Sequence, residues 1–149
     1  MCGELAGLWS NAMPAELSTD PQVIPYLLYA DAAAAVDWLV STFGFTCRAR
    51  HIRPDGTLRH AELVLDRGGV IMLGSPGDDY LPPARLGGTT QLIRITITDL
   101  PGHRDRAAAG ADASAIEPGP PGWISYSVSD PEGHQWYFTE QVEPAPRHT

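Results

Sequence analysis

The chain has 149 residues, 43% of them hydrophobic and 19% charged, which suits one domain with one sizeable core and excludes a second independent domain. Its formal net charge of −8 argues against nucleic-acid binding, because such binding needs clustered basic residues to neutralise phosphates. No apolar stretch could cross a bilayer and no signal-peptide pattern opens the chain, so we expect a cytoplasmic protein that does not bind membranes.

The first half of the chain predicts one strand, one helix and three further strands. Residues 1–20 show no sustained periodicity and are interpreted as an N-terminal extension. Asp31 is placed to cap the helix and Gly44 to end it. In chain order, the predicted elements are a strand at 23–29, a helix at 32–43 and strands at 46–53, 58–65 and 70–73.

The second half repeats this order. Asp99 is expected to cap its helix and Gly110 to end it, which indicates an internal duplication of the first half. Its predicted elements are a strand at 92–98, a helix at 101–109, a short strand at 113–117 and strands at 123–128 and 135–140. The predicted boundaries are a single domain over 21–143, with module one at 22–74, a linker at 75–89 and module two at 90–143, followed by a C-terminal tail at 144–149.

Several short motifs carry a family resemblance. They are Ile24-Pro25-Tyr26-Leu27 with Asp31, Phe43-Gly44-Phe45, His60-Ala61-Glu62-Leu63, and Tyr126 with Asp130-Pro131-Glu132-Gly133-His134-Gln135-Trp136. Together they resemble the vicinal oxygen chelate superfamily of glyoxalases, bleomycin-resistance proteins and extradiol dioxygenases. The resemblance implies an α+β fold of two tandem βαβββ modules that form an open curved mixed sheet around a concave cavity, with helices on the convex side. It also implies a homodimer.

Strand alternation assigns side chains to the two faces of the predicted sheet. The apolar row Ile93, Ile95 and Ile97 should face the helices, and Trp136 should be core. The residues expected to bind a ligand on the cavity side are Tyr26, His60, Glu62, Met72, Arg94, Thr96, Trp123, Ser125, Ser127, Gln135 and Tyr137. An alternative is that His60, Glu62 and Arg94 form only a hydrogen-bonded cluster or a wet rim. The basic residues interpreted as solvated surface are Arg48, Arg50, His51, Arg53, His103 and Arg104.

The resemblance also implies positions for a divalent metal, on the first and last strand of each module. They fall on Ile24, Met72, Leu92 and Tyr137, of which only Tyr137 carries an oxygen donor, and a poor one. We therefore expect no metal and no other cofactor. A metal held by His60 and Glu62 with a third ligand from elsewhere remains an alternative.

Three functions are consistent with these features. The first is a metal-independent protein that binds a drug or natural product, using Tyr26, Trp123 and Tyr137 to stack on a planar ligand. The negative net charge would favour a cationic ligand. The second is a metal-free isomerase, cyclase or lyase, with His60 as general base oriented by Glu62, and Arg94 or Tyr137 stabilising negative charge. The third is a metal-dependent lyase or dioxygenase.

Overall fold

The protein is represented by a computed structural model that describes residues 17–144. Most of the predicted N-terminal extension, and the predicted C-terminal tail except for its first residue, lie outside this range. The chain divides into two compact units between Arg85 and Leu86, inside the segment predicted as the linker. A short helix that the sequence did not predict, α2 (Pro83–Leu86), lies at this division. None of the helices in residues 17–144 has the length and apolar character needed to span a membrane.

The first unit is a βαβββ module. Its elements are β1 (Tyr26–Leu28), α1 (Ala32–Phe43), β2 (Thr46–Ile52), β3 (Leu58–Val64) and β4 (Val70–Gly74). The strands form an open sheet in the order β1-β4-β3-β2, in which β1 runs parallel to β4 and the remaining pairs are antiparallel. β1 is shorter than predicted because Pro25 has no backbone N–H to extend the ladder.

Helix α1 begins and ends where the sequence predicts. The Asp31 carboxylate accepts a hydrogen bond from the Ala34 N–H at 3.1 Å, which satisfies one of the unpaired donors of the first turn. Gly44 adopts a left-handed conformation with φ of 80° and donates its N–H to the Val40 carbonyl. The apolar face of the helix packs on β2 and β3, with Leu39 fully buried.

The second unit is a second βαβββ module. Its elements are β5 (Leu92–Thr96), α3 (Leu100–Ala108), β6 (Glu117–Pro118), β7 (Trp123–Ser129) and β8 (Gln135–Gln141). The sheet order is β5-β8-β7-β6, again with a parallel first pair and antiparallel partners. The predicted α+β fold with two tandem βαβββ modules is confirmed.

Strand register shows which residues of the two modules are equivalent. Tyr26 pairs with Met72 in the first module, and Arg94 pairs with Tyr137 in the second. Tyr26 precedes the helix cap Asp31 by five residues, and Arg94 precedes the cap Asp99 by the same number. The register therefore agrees with the internal duplication inferred from the sequence.

Two sequence predictions for the second module were wrong. Helix α3 is capped by Ala109 in a right-handed conformation, and Gly110 is not among the glycines with positive φ. The strand predicted at 113–117 is replaced by β6, which starts at the last residue of that range. In that segment the Ser114 N–H still donates to the Ser127 carbonyl of β7 at 2.9 Å, but the Arg104 guanidinium donates to the carbonyls of Ser114 at 2.9 Å and Ala113 at 3.2 Å. Those carbonyls are thus bonded by a side chain instead of a neighbouring strand, and Arg104 is not a simply solvated residue.

The Asp-Pro-Glu-Gly-His turn is held together by the buried carboxylate of Asp130. Its Oδ1 accepts from the backbone N–H groups of Glu132 at 3.1 Å and His134 at 3.0 Å. Its Oδ2 accepts from the indole Nε1 of Trp136 at 3.1 Å. Trp136 is buried, as predicted, so this carboxylate ties the turn to the core of the second module.

Candidate functional site

An open pocket of about 510 Å³ lies on the sheet of the first module. Cross-strand pairing places Met72 beside both Tyr26 and Glu62, and His60 follows on the same face of β3. All four were predicted from the sequence. The complete lining is Tyr26, His51, Arg53, Arg59, His60, Glu62 and Met72. The sequence interpretation missed His51, Arg53 and Arg59.

A continuous chain of hydrogen bonds starts in this pocket. The Tyr26 hydroxyl lies 3.0 Å from His60 Nδ1, and His60 Nε2 lies 2.9 Å from Glu62 Oε2. Arg48 Nε donates to the other carboxylate oxygen of Glu62 at 2.7 Å, and its two terminal nitrogens donate to Asp20 at 2.7 and 2.6 Å. We call this set of five residues the polar chain. Arg48 is exposed, as the sequence predicted, but its guanidinium also links two carboxylates, which the sequence did not predict.

The polar chain defines the hydrogen-bonding roles of His60. A carboxylate only accepts, so Nε2 carries a proton, and in the neutral ring Nδ1 then accepts from the Tyr26 hydroxyl. The Tyr26 ring also stacks on the imidazole at 5.6 Å between centroids. Burial raises the pKa of the Tyr26 phenol, which keeps it protonated. Tyr26 is 47% exposed and lines the pocket, so the polar chain ends at the pocket surface.

Glu62 is nearly buried, and its protonation state depends on its partners. Burial alone would raise the pKa of its carboxyl, but the hydrogen bonds from His60 and Arg48 outweigh burial and lower the pKa below its usual value. Glu62 is therefore an anion that its two partners stabilise within the fold.

A pH profile of stability can test this. A carboxyl whose pKa is lowered by folding stabilises the fold above its unfolded pKa, and that stabilisation is lost as the pH falls through the folded pKa. We expect Glu62→Gln to lower the free energy of unfolding near neutral pH, and the difference from wild type to shrink below about pH 4.5. Urea unfolding across that range measures it, with Glu117→Gln, on an exposed residue, as control. A difference that does not change with pH would contradict an ionised, partner-stabilised Glu62.

A second, smaller pocket of about 300 Å³ lies on the sheet of the second module. The Arg94 guanidinium lies over the Trp123 ring, 5.2 Å from its centroid, and the hydroxyls of Tyr137 and Ser125 are 2.8 Å apart. These four residues were predicted from the sequence. The complete lining is Leu92, Arg94, Gly119, Pro120, Trp123, Ile124, Ser125, Tyr137 and Thr139.

Three other predicted residues of the second module lie outside this pocket lining. The Thr96 hydroxyl pairs with that of Thr139 at 3.3 Å, and the Gln135 amide donates to the Ser129 hydroxyl at 2.7 Å. Ser127 is exposed on β7, directly opposite Tyr137 on β8. These residues continue the polar face of the sheet without contributing to the pocket. Two further surface assignments were also wrong. The His103 ring packs 4.3 Å from Phe138 and bonds the Tyr126 hydroxyl. Arg50 pairs with Asp37 at 3.0 Å, and its Nε is buried.

The family-implied metal positions do not suit a divalent ion. Met72 pairs with Tyr26 and offers only a thioether, while Ile24 and Leu92 have no donor atom. In the alternative set, His60 and Glu62 already use their donors and acceptors within the polar chain. Among residues 17–144, no three His, Cys, Asp or Glu side chains are grouped to hold an ion.

Comparison with known proteins places this arrangement in context. The family model described as Glyoxalase/Bleomycin resistance protein/Dioxygenase superfamily matches residues 23–138. The crystal structure of TioX from Micromonospora sp. ML1 is 36% identical, with a TM-score of 0.64 over 87% of this chain and 100% of that chain. An uncharacterized protein of Mycobacterium tuberculosis strain H37Rv, Rv0887c, is 35% identical over 133 residues, 85% of this chain and 78% of its own length.

A more distant structure has the same fold. TnmS3, an antibiotic binding protein from Streptomyces sp. CB03234, has a TM-score of 0.65 at 16% identity, over 83% of this chain and 98% of that chain. At this identity the similarity concerns the fold alone.

Proposed function

The chain belongs to the glyoxalase/bleomycin resistance protein/dioxygenase superfamily, and from that premise we propose that it binds a small drug or natural product without a metal. The superfamily fold supports several chemistries, so the evidence for a function has to come from the residues of the site. We expect the binding protein to be a homodimer.

One observation carries this proposal: aromatic and polar pockets are formed next to positions that lack metal-binding side chains. In the first module, the stacked rings of Tyr26 and His60 stand beside Met72. In the second, the Arg94–Trp123 pair stands beside Tyr137. Flat rings with a few placed hydrogen-bonding groups suit a planar organic ligand. TnmS3 is an example of this fold in an antibiotic binding protein.

The proposal predicts that binding survives metal removal. We expect planar aromatic antibiotics to bind with the same affinity before and after exhaustive dialysis against EDTA, and to be recovered chemically unchanged. Tryptophan fluorescence titration measures affinity, since Trp123 lines a pocket. Native mass spectrometry reports bound compound, metal and oligomeric state together. Binding that is lost on chelation and restored by zinc or manganese would contradict the proposal.

A second candidate function is metal-free acid–base catalysis by an isomerase, cyclase or lyase. The polar chain favours it, because a histidine held between a carboxylate and a phenol is arranged to accept and return a proton. Both His60 nitrogens are already bonded, so we propose that His60 acts through the Tyr26 hydroxyl and that Glu62 orients it. Recovery of an altered compound from the same incubation would favour this function over binding alone.

A further inference from the structure

The pocket of the first module has a local charge opposite to that of the whole chain. Its lining includes two arginines, Arg53 and Arg59, each with a full positive charge. The only carboxylate in this lining is Glu62, so the arginines outnumber it by two to one. The net charge of −8 therefore lies elsewhere on the molecule. The net charge of the chain would favour a cationic ligand, but the local positive charge of this pocket would repel one.

Both guanidinium groups are available to a ligand. In the part of the chain that the structure describes, neither Arg53 nor Arg59 forms an ion pair with a carboxylate. The one hydrogen bond of the Arg53 side chain is a long contact of 3.4 Å with the Thr57 hydroxyl. Arg59 is exposed at the start of β3. An unpaired guanidinium presents donors in a planar fork that matches a carboxylate.

The two arginines also act on the exposed end of the polar chain. The dominant effect on Tyr26 is burial, which raises the pKa of its phenol, whereas the positive charges of Arg53 and Arg59 act in the opposite direction. Both charges therefore reach the hydroxyl that faces the pocket. An oxyanion beside Tyr26 would meet two cations next to an exposed aromatic ring.

We propose that this pocket is an anion-recognition site for a planar aromatic acid. Arg53 and Arg59 pair with the carboxylate of the ligand, and the Tyr26 ring contacts its aromatic plane. This inference rests on the proposed function, since it names the chemical class of the ligand bound. It assigns a binding role to Arg53 and Arg59, which flank the β2–β3 turn and line the pocket.

Two matched probes, 2-naphthoate and 2-naphthamide, test it. They share an aromatic plane and differ in charge. Calorimetry with metal-stripped protein measures the two affinities. We expect naphthoate to bind about tenfold more tightly than naphthamide, and this advantage in affinity to fall as salt screens the two arginines. Arg53→Gln and Arg59→Gln should each reduce that advantage to about threefold while leaving naphthamide binding unchanged, because the two arginines share it.

The control is Arg67→Gln. It removes the same charge from an exposed turn between β3 and β4, outside the pocket lining, and should leave both probes unaffected. Equal weakening of naphthoate binding by Arg67→Gln and Arg59→Gln would overturn the inference. Binding would then depend on the net charge of the protein and not on the arginines of the pocket. Failure of both probes to bind would also overturn it. Equal binding of the two probes to metal-stripped protein would refute anion recognition and leave the proposed function intact, whereas binding only after metal addition would refute the proposed function.

Discussion

Replacing Asp130 with Ala is expected to lower the free energy of unfolding by about 3 kcal/mol or more. The substitution leaves three donors without their acceptor, namely the N–H groups of Glu132 and His134 and the indole of Trp136. His134 and Trp136 are buried, so water cannot readily replace the carboxylate. Urea unfolding of Asp130→Ala beside wild type measures the loss.

Two further variants separate the contributions of the two carboxylate oxygens. Asp130→Asn can keep an acceptor for the two backbone N–H groups but turns an NH₂ toward Trp136, and Trp136→Phe removes that indole donor. We expect Asp130→Asn to lower the free energy of unfolding less than Asp130→Ala does. In the Trp136→Phe background, Asp130→Asn should lower it less than it does in wild type. A loss below about 1 kcal/mol for Asp130→Ala would mean that the turn is held mainly by its backbone conformation.

The features that the sequence predicted correctly depend on neighbours in the chain. Asp31 caps the helix three residues ahead, and Gly44 adopts the left-handed conformation at its end that a Cβ would disfavour. Strand alternation likewise placed His60 and Glu62 on the same face, which forms the pocket, because side chains two residues apart share a face. The duplication then supplied the register of the second module.

The features that the sequence missed depend on long side chains and distant partners. Arg48 lies on a strand that looked like exposed hairpin, yet its guanidinium reaches Glu62 and Asp20. Arg104 reaches a backbone carbonyl ten residues ahead, in the segment predicted as a strand. Arg53 and Arg59 line the pocket, which neither strand alternation nor the net charge of the chain indicated. Alternation reports the direction of Cβ, and a flexible arginine side chain is long enough to override it.

Gly74→Ala is expected to cost about 3 kcal/mol of unfolding free energy and to disturb the pocket of the first module. Gly74 ends β4, and a Cβ there would lie 2.8 Å from the Tyr26 hydroxyl oxygen and well inside contact distance of the Arg59 carbonyl oxygen. The carbonyl belongs to a paired strand, so relief requires β3 and β4 to separate and the Tyr26 side chain to move as well. Chemical denaturation measures the stability, and naphthoate affinity reports the pocket.

Gly77→Ala is the matched control, because a Cβ there meets nothing within 4 Å. We expect it to leave both stability and probe binding unchanged. Adding Tyr26→Phe to Gly74→Ala removes the hydroxyl but leaves the conflict with the Arg59 backbone, so stability should recover only in part. Movement of Tyr26 would separate its hydroxyl from His60 Nδ1, which ¹⁵N NMR of the imidazole detects. If Gly74→Ala matched Gly77→Ala in both readouts, the close approach of β4 to Arg59 and Tyr26 would not be needed for the pocket.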